Sequence, residues 1–160
     1  MDKKKILFFM WSFSLGGGAE KILSTIVSNL DPEKYDIRTY GHFPNEECPS
    51  YIQQNGYFTK ETIDRIYADI DILIVPSKCK ETFGFITMEA LSYGVNVFVS
   101  ENVGSKDLVS QEHVFYDKQD LLNKLNSVQR DTVNLKLLKD HAIEVVEYYA
   151  SVSNVRNDAN

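Results

Sequence analysis

The fold is decided by three consecutive segments, Ile72-Leu-Ile-Val-Pro-Ser77, Glu81-Thr-Phe-Gly-Phe-Ile-Thr-Met-Glu89 and Gly94-Val-Asn-Val-Phe-Val99. The first and last contain continuous apolar runs, which are typical of strands buried on both faces. The segment between them predicts a helix over about 84–93, with Gly94 as its C-terminal glycine. A strand, a helix and a strand in this order form a parallel unit of an α/β sheet.

The same alternation extends to both ends of the chain. We predict strands at about 6–11, 35–41, 56–58, 72–75, 95–99 and 113–116. We predict helices over about 22–30, 60–70, 84–93, 117–128 and 132–150, two of them capped by Thr59 and Asp117. The last helix is expected to bury Leu135, Leu138, Ala142, Val145 and Tyr149. The predicted fold is therefore α/β, a single doubly wound parallel sheet of about six strands flanked by helices, with one domain over 1–152 and a frayed tail at 153–160.

The composition narrows the class of protein. The chain has 160 residues, enough for one ordinary core, and a net charge of −6, which argues against a nucleic-acid partner. Cys48 and Cys79 are too few for a disulfide framework and stand in no metal-binding spacing, so a reduced, cytoplasmic location is predicted. Lys3–Lys5 before an apolar run resembles a signal peptide, but that run leads directly into glycines, as a buried strand would. No segment approaches the roughly 20 apolar residues of a membrane span.

The turn and helix after strand 72–75 predict an anion site. A helix that begins at the carboxyl end of a parallel strand presents free backbone N–H groups beside Ser77, and Gly84 allows close backbone approach. Glu89 lies among apolar residues of the helix and needs a partner. Ribose hydroxyls, a structural Lys or Arg, or water would each satisfy it, and spacing alone leaves these open.

The run Glu81-x7-Glu89 matches the E-x7-E motif of retaining GT-B glycosyltransferases, the large family that includes bacterial polysaccharide enzymes. The flanks at 66–77 and 88–97 resemble the same family's approach strand, helix and next strand. The resemblance implies that Glu89 holds the ribose and that Glu81 lies near the donor sugar, as the candidate catalytic carboxylate. It also implies that the backbone at Phe83, Gly84 and Phe85 contacts sugar and phosphate. The donor would be a UDP- or GDP-linked sugar, with no metal or other cofactor.

The N-terminus resembles another part of the same family. Lys5-Ile-Leu-Phe-Phe-Met10 and the run Gly16-Gly-Gly-Ala-Glu-Lys21 are similar to the opening of the acceptor-side domain. Residues 1–45 thus resemble the start of one Rossmann-like domain, and 55–117 resemble the donor-binding domain. In the family, the rest of the first domain and the beginning of the second lie between these two parts, whereas here the passage falls within about 42–54, so the chain looks internally shortened. The family's diphosphate-binding basic pair and active-site histidine accordingly have no counterpart. His42, His113 and His141 match no family motif.

The two resemblances fit one sheet if the unit 5–41 replaces the opening unit of the donor domain. In the common strand order 3-2-1-4-5-6, strand 6–11 would lie beside strand 72–75, with the ligand at that switch point. The glycine loop would then face the segment Cys79–Gly84, and either of two lysines would supply the missing positive charge. The predicted binding residues of this loop are Gly16, Gly17 and Gly18, and the two candidate cations are Lys21 and Lys80.

Three functions remain open at this point. The first is a shortened glycosyltransferase of polysaccharide or glycan synthesis, with a second chain supplying the acceptor side. The second is a non-catalytic nucleotide-sugar-binding module, and the third is an inactive remnant of a two-domain enzyme. The cysteine usage predicts the cytoplasm, with peripheral contact of Lys3–Lys5 at the inner face of the membrane as an alternative. The donor sugar, its base and the acceptor are not specified.

Overall fold

Six parallel strands form one sheet in the order β3-β2-β1-β4-β5-β6. The computed structural model describes residues 3–12, 25–42, 49–127, 129 and 142–148. The strands are β1 (Lys4–Ser12), β2 (Tyr35–His42), β3 (Ile52–Gln54), β4 (Ile72–Val75), β5 (Asn96–Ser100) and β6 (Val114–Phe115). The fold class is as predicted, and so is the strand order.

Helical segments cover the sheet between and after the strands. They are α1 (Ile63–Ala68), α2 (Phe85–Ser92), α3 (Lys118–Ser127) and two short 3-10 helices, Gly104–Leu108 and Gln111–His113. Residues 25–27 and 142–148 are also helical. Asp117 caps α3 as predicted, because its Oδ1 accepts a hydrogen bond of 2.8 Å from the Asp120 backbone N–H.

The apolar strands are buried on both faces because successive side chains alternate between two cores. Ile6 and Phe8 of β1 pack into one core, while Leu7 packs into the other. The first core is completed by Ile26, Val27, Leu30, Leu121 and Leu125. The second is completed by α1 and α2 through Ile66, Tyr67, Ala90 and Leu91. This double coverage explains why β1, β4 and β5 read as continuous apolar runs rather than alternating ones.

β1 lies at the centre of the sheet. It pairs with β2 through Lys4 and Tyr35 onward, and with β4 through Ile6 and Ile72. The prediction that strand 6–11 would lie beside strand 72–75 is therefore confirmed.

Three local predictions were wrong. The third strand is Ile52–Gln54 rather than 56–58, since Gly56 adopts a φ of 67°, in the left-handed region that a strand cannot contain. The predicted helix over 60–70 begins only at Ile63, and Thr59 does not cap it. The carbonyl and N–H of Thr59 instead bond the Thr62 side chain, which closes a separate turn before the helix.

The C-terminal helix does not bury the side chains expected of its described part. Ala142 and Val145 are exposed, the latter by 40%. Leu135, Leu138 and Tyr149 lie outside the described residues, as does the tail 153–160. The division into a single domain over 1–152 and a tail therefore remains a prediction.

Candidate functional site

The candidate site lies where the strand order reverses, between β1 and β4. The chain continues from β1 towards β2 and β3, and from β4 towards β5 and β6 on the opposite side. The loops that follow two such strands diverge, which leaves a crevice at their carboxyl ends. β4 ends at Val75, and Pro76 and Ser77 lead the chain out over this edge.

Glu81 is fixed by the loop after β4 and by the loop after β5. The Ser77 hydroxyl donates a hydrogen bond to the Glu81 carboxylate. The Glu81 backbone N–H donates to the Asn102 carbonyl at 2.9 Å, and the Ser100 hydroxyl donates to the Ser77 carbonyl at 2.6 Å. The structure thus brings the predicted residues Ser77 and Glu81 together. Sequence reasoning missed Ser100 and Asn102, because only the adjacency of β4 and β5 places them here.

Gly104 permits the close approach of these two loops. A Cβ atom at Gly104 would lie 2.3 Å from the Thr82 carbonyl oxygen and 2.7 Å from the Glu81 carbonyl oxygen. Both atoms belong to the backbone and cannot rotate away. Gly104 is not among the site residues predicted from the sequence.

Gly84 also has a packing role that the sequence did not predict. A Cβ atom there would lie 2.8 Å from Ser105 Oγ and 3.1 Å from Val103 Cγ1. Gly84 occupies the N-cap position of α2, and no side chain caps that end of the helix. The uncapped first turn presents backbone N–H groups and the positive end of the helix dipole, which suits an anion.

Phe83 and Phe85 are exposed beside this helix end. Their side chains are 38% and 68% exposed, and the ring centroids are 5.2 Å apart in an edge-to-face arrangement. Backbone contact with a ligand, which the resemblance implied for these residues, stays a prediction.

Glu89 lies one turn into α2 and is exposed. The hydroxyl of the buried Tyr67 donates a hydrogen bond to Glu89 Oε2 at 3.4 Å. Burial, and then the nearby charge of Glu89, raise the pKa of Tyr67, so its hydroxyl stays protonated and can donate. The partner of Glu89 in the described structure is therefore a tyrosine, rather than the Lys or Arg considered from the sequence.

A cavity of about 390 Å³ opens beside Ser77 at the carboxyl ends of β4, β5 and β6. Lys78 and Lys118 line it, together with Glu101, Asn102 and Tyr116. Lys80, the predicted cation, is exposed in the same loop but does not line the cavity. Lys78 was missed because neighbouring lysines in a loop cannot be distinguished without the path of the backbone.

A wider groove of about 950 Å³ lies at the opposite, amino edge of the sheet. Three of its charged side chains, Lys5, Asp36 and Asp69, are already in ion pairs. Lys5 and Arg38 both bond Asp69, and Arg38 also bonds Asp36 at 2.8 Å. We therefore assign these charged residues a structural role and do not place the ligand site in this groove, although the groove is larger than the cavity beside Ser77.

The predicted glycine loop falls in a part of the chain that the structure does not describe. Gly16, Gly17 and Gly18 lie outside the described residues, and so does the predicted cation Lys21. The described residues resume at 25, so these four residues take no part in the site geometry given above. The placement of the loop opposite Cys79–Gly84, and its contact with a ligand, therefore stay predictions.

The described residues contain no alternative site built on histidine or metal. His113 is 2% exposed, with Nδ1 2.9 Å from the Ser110 hydroxyl and its ring 4.7 Å from that of Phe98. Within the described ranges, no three His, Cys, Asp or Glu side chains gather in a way that would hold a metal ion. No helix in these ranges is both long and apolar enough to cross a membrane.

Comparison with known proteins identifies a family. The family model "Glycosyl transferases group 1" matches residues 47–144. The sulfoquinovosyl transferase SQD2 of Arabidopsis thaliana is 25% identical over 114 residues, covering 64% of this chain and 22% of that protein.

Two solved structures share the fold. Sucrose-phosphate synthase from Thermosynechococcus elongatus superposes with a TM-score of 0.62 at 17% identity, over 79% of this chain and 36% of that one. Anabaena HepE, solved in complex with UDP-glucose, also gives a TM-score of 0.62, at 18% identity, over 79% of this chain and 39% of that one. At these identities the likeness establishes the fold. The chain spans less than two fifths of the length of each of these three proteins.

Proposed function

The chain belongs to the glycosyl transferases group 1 family, and on that premise we propose that it binds a nucleoside diphosphate sugar at the carboxyl edge of its sheet. The observation that carries the proposal is the unit formed by β4, the Ser77–Gly84 loop and α2. Within this unit Ser77 bonds the Glu81 carboxylate, and the loop after β5 bonds the Glu81 backbone N–H. Glu89 is exposed one turn after the uncapped start of α2. The UDP-glucose bound to the similarly folded HepE supports a nucleotide sugar as the ligand.

Each part of the donor is assigned to a chemically suitable group. Glu89 accepts hydrogen bonds from the ribose hydroxyls, since an exposed carboxylate has several acceptor positions. The N–H groups at Phe83–Phe85 and the first turn of α2 bind the diphosphate, with Lys78 or Lys80 adding positive charge. Glu81, fixed by Ser77, lies at the sugar.

We propose that the whole protein transfers the sugar with retention at the anomeric carbon, in polysaccharide or glycan synthesis. Negative charge develops on the diphosphate as the bond to the sugar breaks. Prearranged N–H groups and a lysine would stabilise that charge. The acceptor side would come from a second chain, and the protein would act in the cytoplasm, with peripheral contact at the membrane as the alternative.

Binding without transfer is the second candidate function. It is favoured by the resemblance itself, which leaves the family's diphosphate-binding basic pair and active-site histidine without a counterpart in this sequence. Donor hydrolysis or sugar transfer by the chain, with or without a partner, would distinguish an enzyme from a binding module. A chain that binds no nucleotide would be the inactive remnant.

Nucleotide binding tests the proposal directly. We expect UDP or GDP to bind at millimolar or lower concentration in a calorimetric titration. Glu89→Ala should weaken binding about ten- to hundredfold, because hydrogen bonds to a charged acceptor are among the stronger ones. Glu112→Ala is the matched control, since Glu112 is an exposed carboxylate in a separate 3-10 helix. Absence of heat with both nucleotides, or equal binding by Glu89→Ala, would contradict the proposal.

A further inference from the structure

Tyr67 connects α1 to the carboxylate proposed to hold the ribose. Its side chain is 2% exposed, yet its hydroxyl reaches Glu89 Oε2 in the next helix, 22 positions along the chain. The contact is thus made by a buried, rigid donor on one element and an exposed, flexible acceptor on another.

The ring of Tyr67 is held in place by Tyr93. The two rings stack with centroids 5.3 Å apart and planes inclined by 25°. Tyr93 is held in turn through its own hydroxyl, which bonds Asp64 Oδ1 at 2.5 Å. Because the ring cannot swing away without breaking this stack, the position of the Tyr67 hydroxyl is fixed before any ligand arrives.

The Tyr67 hydroxyl is also fixed in its protonation state. Burial raises its pKa above the ordinary value of 10.0, and the charge of Glu89 raises it further. A phenol in this environment stays protonated at physiological pH and can donate its hydrogen bond to Glu89.

One hydrogen bond leaves Glu89 able to bind a ligand. Tyr67 occupies Oε2, and among the described residues no hydrogen bond reaches Oε1. A free glutamate side chain loses rotational freedom when it binds a ligand, and this loss lowers affinity. A fixed donor on one oxygen removes part of that loss in advance.

We propose that Tyr67 is a positioning residue, whose hydroxyl holds Glu89 Oε2 so that Oε1 faces the ribose hydroxyls of a bound nucleotide. This inference rests on the proposed nucleotide binding. Tyr67 itself does not contact the nucleotide.

The test compares Tyr67→Phe with Tyr35→Phe in calorimetric titrations of the full chain. UDP and GDP are tried on the unsubstituted protein, and the tighter binder is used throughout. Tyr67→Phe removes only the hydroxyl and keeps the stacked ring, so it should bind this nucleotide about three- to tenfold more weakly, the effect of one lost hydrogen bond. Tyr35→Phe removes the hydroxyl of another buried tyrosine, which bonds the Leu125 carbonyl at 3.2 Å instead of Glu89, so it should bind within about twofold of the original protein.

Two further titrations separate positioning from a general structural effect. With the 2′,3′-dideoxy form of the same nucleotide, the original protein and Tyr67→Phe should bind within about twofold of each other, because the ribose hydroxyls are absent. In a Glu89→Ala background, adding Tyr67→Phe should likewise change affinity by less than about twofold. A structural role would weaken binding of both nucleotide forms alike.

The outcomes are distinct. If the original protein binds neither UDP nor GDP, the proposed function falls and this inference with it. If it binds a nucleotide but Tyr67→Phe binds equally well, only the inference is overturned. Equal losses with the dideoxy form, or a Tyr67→Phe chain that does not fold, would also overturn it and assign the hydroxyl to structure.

Discussion

Single glycines set the geometry of the candidate site more strictly than its charged residues do. Gly104 lets the loop after β5 touch the backbone of Glu81 and Thr82, and Gly84 lets the start of α2 approach Ser105. The motif selects Glu81 and Glu89 as candidate site residues from the sequence alone, and their contact with a ligand stays a prediction. It could not identify the packing role of either glycine or the contact of Tyr67 with Glu89, since these depend on which loops and helices become neighbours in the folded chain.

We expect Gly104→Ala to destabilise the protein by about 2 to 3 kcal/mol, because the new methyl group meets fixed backbone atoms. Gly84→Ala should cost about 1 kcal/mol or less, since its nearest neighbour is the tip of the Ser105 side chain. Urea denaturation of both variants would measure the difference. If Gly104→Ala were no less stable than Gly84→Ala, the close approach of the two loops would be wrong.

At the scale of elements, ion pairs connect the C-terminal end of α1 to the sheet. Asp69 follows α1 and bonds Lys5 of β1 at 2.5 Å, and it also bonds Arg38 of β2. Hydrogen bonds from Lys5 and then from Arg38 lower the pKa of Asp69 below its ordinary 3.8. This contact joins three elements whose order in the chain gives no hint that they meet.

The effect of Asp69 on stability should depend on pH. Its carboxylate binds protons more weakly in the folded state than in the unfolded state, so its stabilisation is present above about pH 4 and is lost as pH falls through the lowered pKa. We expect Asp69→Asn to cost about 0.5 to 1 kcal/mol at pH 7, the range of an exposed ion pair, and much less at pH 2 to 3. Urea denaturation at both pH values measures this.

Glu112→Gln serves as the control, because Glu112 is exposed and forms no ion pair among the described residues. A deficit of Asp69→Asn that stayed constant from pH 7 to pH 2 would contradict the assigned ion pairs.

How far the sequence predicts an element depends on how deeply that element is buried. The runs in β1, β4 and β5 are apolar throughout because both faces of these strands pack against helices, and all three strands were predicted. In β3 only Ile52 is buried, while Gln53 and Gln54 are exposed. An edge strand of this kind has no apolar run to recognise, so the strand was predicted at 56–58 instead of Ile52–Gln54.

On the scale of the whole molecule, the sheet includes strands that lie outside the residues matched by the family model. The match begins at residue 47, after β1 and β2, yet β1 lies between β2 and β4 in the same sheet. The order 3-2-1-4-5-6 could be predicted because parallel strands joined by helices adopt few arrangements. The placement of the glycine loop at 16–18 relative to α2 could not be derived in the same way.

We expect a fragment over 47–160 to show no cooperative unfolding, although it contains the whole family match. Without β1, β4 loses one of its neighbours in the sheet. The two cores also lose Ile6, Leu7 and Phe8, which are completely buried. Near-ultraviolet circular dichroism during heating would detect a cooperative transition, and the full chain provides the positive control. A sharp transition in the fragment would mean that this part folds independently of β1.

The central position of β1 also has a consequence during synthesis. The Lys5 backbone N–H bonds the Asp71 carboxylate across 66 residues. At the usual elongation rate of about 5 to 20 residues per second, β1 waits roughly 3 to 13 seconds for β4 to be made. Throughout that interval Ile6, Leu7 and Phe8 lack the cover that β4 provides, so the nascent chain presents these apolar side chains to the chaperones around the ribosome. β1 is thus translated well before the strand that encloses it on this side.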